Sequence, residues 1–318
     1  MQTSDLKLFK SKTISDGSSN GGRESYVEVV SGSLNNLFPA VSEAERTAGI
    51  TRWRKVFFHN VNSSDEPLNN AAVMAEGPSS AEDQIVWCPG TQRNTQGDLT
   101  NPKRYAAGLL AQGASSGSYQ IQVSFENSAQ VDLAASDVVW LYGQNGQAFL
   151  TVSSVSWNGN TATINLVQPL PVDFLQGEVC SMVFQLGTLQ PSFDSWTEVT
   201  SQGTYNEATY PPVLKNWGTV EDDWTILFTS STAFTCSGLY EGTVGSGSIS
   251  SDFSPTNSNT STPYFTIRAA GWGGTWQAGD RITFTTHPAS GAIWLKEIVP
   301  AGAQPASSNT LMLRLHGE

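Results

Sequence analysis

Apolar residues in this chain come in short runs, each broken by polar or glycine-bearing turn signals after five to ten residues. RWRKVFFHNVN (52–62), AAVMAEG (71–77) and IVWCPGT (85–91) are the first strong examples. YQIQVSFEN (119–127), EVCSMVFQLG (178–187) and DWTILFTSSTAFTCSG (223–238) continue the series, and GDRITFTT, AIWLKEIVP and NTLMLRLHG close it. Runs of that length and β-branched, aromatic content predict strands separated by turns. In 136–187 two Asn-Gly pairs, at Asn145-Gly146 and Asn158-Gly159, sit between alternating segments and predict a three-stranded meander. One segment reads as helix: in VSEAERTAG, Ser42 caps, Glu45 three residues later completes a capping box, and Gly49 ends the turn.

The pattern predicts an all-β chain of two or more Ig-like β-sandwich domains with an extended N-terminal arm. Residues 1–49 form the arm and the short helix. AIWLKEIVP and the final strand complete a sandwich begun at Arg52, giving a discontinuous domain from 50–92 plus 223–318. Residues 117–188 form an inserted small sandwich or barrel, and the Pro/Thr/Tyr-rich 189–222 forms a linker. Within the arm, LKLFK (6–10) alternates weakly, as a strand added to another protein's sheet edge would. ISDGSSNGGRES (14–25) carries three Gly and four Ser with one large apolar residue, too little to offset the entropy of ordering it. It is read as a hinge.

Composition narrows the function. No apolar run reaches the length of a membrane span. The lysines of the first fourteen residues are followed by no apolar segment, so a cytosolic site of folding is expected. The chain carries 16 Lys/Arg against 28 Asp/Glu, net −12. Residues 1–60 hold eight basic and six acidic residues, whereas 105–318 hold five and sixteen. An acidic body of this kind is not expected to bind nucleic acid. It can dock its mildly basic leading segment on an acidic neighbour or on a copy of itself. Cys88, Cys180 and Cys236 lie singly in apolar runs and read as buried thiols.

Chemistry-bearing patterns are few. Three histidines (His59, His287, His316) form no zinc spacing, and no GxSxG elbow is present. DGSSNGG lacks the alternating carboxylates of a calcium loop. Glu221, Asp222 and Asp223 beside Trp224 are the best acid cluster for glycoside chemistry, yet adjacent acids usually form a solvated face. Neither catalysis nor a cofactor or metal is expected. Trp272 and Trp276, in GWGGTW, are candidate sugar-stacking platforms because their glycine neighbours suit an exposed turn, with core packing as the competing reading.

ISDGSSNGGRES, AERTAGITRWRKVFFHN, GTQRNTQGD and TSSTAFTCSG…DFSP…PYFTIRAAGWGGTWQAGDRITFTT together resemble virion structural proteins of contractile-tailed bacteriophages. The nearest likeness is to tail and baseplate proteins of Mu-like myophages, including the ripcord kind. The resemblance covers most of the chain outside the middle insertion. It implies a non-enzymatic virion component, assembled in the host cytoplasm, that bridges tail tube or sheath to baseplate wedges and packs against copies of itself in a ring. On that reading Leu6, Leu8 and Phe9 anchor the arm, and Arg52, Arg54 and Lys55 contact an acidic partner. The alternatives are a receptor- or carbohydrate-binding tail protein and a head decoration or neck protein of the same phage class.

Overall fold

A computed structural model describes residues 2–318. The chain is nearly all β, with one α-helix, Glu43–Ala48, among the described residues. Ser42 caps that helix and Glu45 returns the bond to the Ser42 N–H, so the capping box forms as its sequence dictates. No helix among the described residues is long and apolar enough to cross a membrane. The fold divides into two units, each drawn from three separate stretches.

The barrel unit comprises Phe9–Phe57, Asn69–Thr188 and Ala292–Glu318. Its six-stranded antiparallel barrel closes in the order Thr161–Leu166, Gln120–Ser124, Ala107–Leu110, Val179–Met182, Val138–Gly143, Gly146–Asn158. Closure removes exposed strand edges. Alternation fills the interior: Ala162, Ile164 and Leu166 point inward from one strand, Ile121 and Val123 from the next. The meander is present, but its two-residue loops are Gln144–Asn145 and Gly159–Asn160, since Gly143 pairs with Gly146 and Asn158 with Thr161. The barrel also begins at Ala107, ten residues before the predicted 117, because the short strand AGLL is hidden in a glycine-rich stretch.

A five-stranded sheet in the order Gly21–Glu28, Leu6–Thr13, Ile50–Asn60, Ser290–Val299, Gln84–Pro89 also contributes to this unit. It overturns the predicted free arm. Leu6–Thr13 and Gly21–Glu28 are a hairpin in the chain's own sheet, with Phe9 buried, and the Gly/Ser segment is the loop between them. Side chains supply what the composition lacks. Buried Asn20 accepts from the Ser15 N–H at 3.2 Å and donates to Trp53 O at 2.8 Å and Gln96 Oε1 at 3.0 Å. Gly21, at φ +103°, is required: a Cβ there would lie 2.5 Å from the Trp294 ring. A third, three-stranded sheet runs Phe184–Leu189, Leu68–Ala75, Leu313–His316, and its Ala72 and Met74 pack with Trp140 of the barrel wall.

The aromatic unit comprises Met1–Leu8, Phe58–Leu68 and Leu189–Gly291. Its main sheet is antiparallel, ordered Ser192–Val199, Arg281–His287, Asp222–Phe228, Ala233–Gly238, Gly242–Ser248. Gln202–Tyr205 pairs with Trp272–Thr275. The predicted linker 189–222 is therefore partly strand. Its aromatics are the reason: Trp196 stacks on Phe284 at 5.2 Å and Tyr205 packs edge-on to Trp272 at 4.8 Å. Residues 223–291 belong with these segments, whereas Ser290–Val299 lies between Ile50–Asn60 and Gln84–Pro89.

Candidate functional site

In the aromatic unit, strand alternation sorts RITFTTH into two faces. Ile282, Phe284 and Thr286 are buried, and Thr283, Thr285 and His287 face outward. The neighbouring strand obeys the same rule: Asp222, Trp224 and Ile226 point in, while Asp223 points out. The three consecutive acids therefore do not converge on one spot. Each has its own task.

Asp222 is fully buried, and its carboxylate accepts backbone N–H bonds from Asp223 (2.8 Å), Tyr240 (3.0 Å) and Glu241 (2.8 Å). It thereby fixes the turn joining Ala233–Gly238 to Gly242–Ser248. Gly238 permits the approach, since a Cβ there would sit 2.3 Å from Asp222 Oδ2. On this pinned turn Leu239 and Tyr240 project outward, 66% and 48% exposed. Asp223 accepts from the Thr285 hydroxyl at 2.8 Å. Glu221 meets His287, whose Nδ1 lies 2.7 Å from Glu221 Oε2 and whose Nε2 lies 3.2 Å from Asp194 Oδ2. The hydrogen bond to Glu221, and less so that to Asp194, raises the His287 pKa above its ordinary value.

The barrel unit carries a second rigid apolar display. Cross-strand pairing aligns Leu109, Val179 and Tyr142 in one row on the barrel exterior. Tyr142 is partly exposed and lies flat on buried Trp140, with ring centroids 4.9 Å apart and planes at 12°. The Arg314 guanidinium sits 5.3 Å from the Trp140 ring and 5.7 Å from the Tyr142 ring.

The sequence-predicted site residues lie elsewhere. Leu6 and Leu8 are half-buried in their strand, and Phe9 is core. Arg52 is buried, donating to Glu45 at 2.5 Å and Glu297 at 3.3 Å. Arg54, also buried, bonds Asp16 at 2.7 Å. The buried Lys55 ammonium donates to the carbonyls of Gly22 (2.7 Å) and Asn94 (2.9 Å). These three cations are structural ties inside the barrel unit, not surface contacts. Trp276 is 1% exposed and stacked on Phe228 at 4.2 Å and 7°, and Trp272, half-buried, packs against Phe228, Phe234 and Trp276. Trp276 is thus a core residue and not a sugar platform, and Trp272 packs into the same cluster. The three cysteines are buried free thiols, and burial pushes each up to about 12. Among the described residues, no group of three or more His, Cys, Asp or Glu side chains has a metal-holding arrangement. The sequence reading missed His287, Asp194, Leu239 and Tyr240. Period-two alternation in RITFTTH was the available signal for the first.

No family model matches this sequence, and no curated protein matches it. Among solved structures, the chain is similar to the VP16-VP17 complex of the two major capsid proteins of bacteriophage P23-77. Identity is 10%, over 79% of this chain and 97% of that one, with a TM-score of 0.17. VP17, a capsid protein of the same phage, aligns at 9% identity over 78% and 96%, also with a TM-score of 0.17. Overlap at that score does not establish a shared fold or role.

Proposed function

We propose that this chain is a non-enzymatic structural protein of a bacteriophage particle, making its contacts through apolar side chains held on rigid supports. The observation that carries the reading is the Leu239–Tyr240 turn. Two large apolar side chains project from a loop that a buried carboxylate holds through the N–H groups of Tyr240 and Glu241. A turn already ordered before contact loses little entropy when it inserts into a partner, and aromatic anchors of this kind dominate interface energies. The stacked Tyr142–Trp140–Arg314 display on the barrel wall supports the same reading. The resemblance of several sequence phrases to contractile-tail proteins is the ground for proposing a place between tail tube or sheath and baseplate wedges. Bridging through a loose N-terminal arm is not part of the proposal, because those residues complete the chain's own sheet.

Gradient-purified particles tested by quantitative mass spectrometry should contain the chain in a fixed copy number, and gold-labelled antibody should mark one end of the tail. Recovery of the chain solely from the particle-free supernatant would overturn the proposal. Labelling of the head surface would move the chain to a decoration role.

A further inference from the structure

Three carboxylates and one imidazole share the outer face of the aromatic unit's main sheet. Beside His287 stand Glu221, just ahead of the strand Asp222–Phe228, and Asp194 on the neighbouring edge strand, while Asp223 bonds Thr285 on the same face. Both ring nitrogens face carboxylate oxygens, at 2.7 and 3.2 Å. An ionised carboxylate only accepts hydrogen bonds, so both nitrogens must carry protons for the arrangement to hold. Between two ionised carboxylates the ring is held as the imidazolium.

We propose that the Glu221–His287–Asp194 bridge is a proton-dependent latch that closes the start of the edge strand Ser192–Val199 and releases it when His287 becomes neutral. A neutral imidazole keeps one N–H. Glu221 is buried and makes the shorter bond, so the proton stays at Nδ1, and Asp194 then faces a lone pair. Three negative charges remain on one face with no imidazolium among them.

The released segment is weakly held by its own ladder. Ser192–Val199 has a ladder neighbour on one side only, its register with Arg281–His287 slips between Asp194 and Thr197, and Ser195 sits at φ +56°. Beyond the slip, Trp196 stays anchored on Phe284 and Tyr205, which confines the opening to residues 192–195. The sign agrees with the raised His287 pKa. A histidine favoured as the cation in the fold contributes fully below its unfolded value of about 6.5, and the contribution is lost as pH rises through the raised folded value.

Amide hydrogen exchange on the full chain, corrected for the intrinsic rate, tests the latch. Protection of 192–195 relative to 224–228 should fall at least tenfold between pH 6 and pH 9 in the wild type. It should be low at both pH values in His287→Gln and independent of pH in Asp194→Asn. Equal wild-type protection at the two pH values would overturn the latch, as would full protection in His287→Gln. If the glutamine variant fails to fold, proton NMR of the wild type decides, because the chain has three histidines to resolve. The His287 ring must titrate above 6.5 with a midpoint matching the loss of protection, and a midpoint at or below 6.5 refutes the idea.

Discussion

Replacing Trp276 with alanine is expected to destabilise the aromatic unit by about 3–5 kcal/mol, the range for removing a fully buried large aromatic. The indole is stacked face to face on Phe228 and crossed by Trp272, so its loss leaves a cavity beneath two packed rings. Gly203 cannot close that cavity, because it is the absence of a side chain there that admits the Trp276 ring: a Cβ on Gly203 would lie 2.4 Å from it. Urea unfolding followed by tryptophan fluorescence reads the effect. A variant as stable as wild type that has lost binding to surface glycans would instead restore the sugar-platform reading.

The second large effect lies in the barrel unit. Arg52→Met should cost about 3–5 kcal/mol at neutral pH, because it leaves buried Glu297 without its cation. Burial already holds the Glu297 carboxyl above its ordinary range despite Arg52. Without the guanidinium it rises further. A carboxyl whose folded pKa is raised is stabilising below its unfolded value of about 4.3 and loses that contribution as pH climbs through the folded one, so the variant should recover stability on acidification toward pH 5. Glu45 behaves oppositely: in the wild type two bonds from Ser42 and one from Arg52 hold it down to about 2, and the larger Ser42 contribution survives Arg52→Met and still favours the carboxylate. Removing both charges, in Arg52→Met with Glu297→Leu, should restore most of the loss, since well-packed apolar pairs often replace buried ion pairs without penalty. A double variant no more stable than the single one would show that Arg52 acts through packing alone.

Both effects fall on residues whose surroundings the sequence disguised. GWGGTW looks like an exposed turn because of its glycines. In the fold Gly271 is present because the Tyr205 ring presses on its backbone, and Gly274 because it takes φ +66° where a Cβ would lie 2.1 Å from the Gln202 carbonyl. RWRK looks like a charged strand facing water. Its partners are Glu297, 245 positions away, and carbonyls of Gly22 and Asn94, 33 and 39 away. No local window contains them. The Gly/Ser segment after the first strand fails for the same reason. Its order comes from Asn20, Trp53 and Gln96, and composition reports only what a segment lacks by itself. What local pattern does determine was legible: the short strands, the meander, the capping box at Ser42 and the buried, isolated cysteines. Even there, turn placement shifted by one residue, because strand register and not the Asn-Gly dipeptide selects which pair closes the hairpin.

The most direct test of a role in particle assembly is a complementation experiment with Leu239→Asp and Tyr240→Ser combined in the full chain. Both residues are exposed and Asp222 still holds the turn through backbone N–H groups, so the variant should keep the fold. In a phage lacking the wild-type gene, the altered chain should accumulate in soluble form and fall at least tenfold in purified particles. Incorporation at the wild-type copy number would contradict the assignment of this turn as the assembly contact.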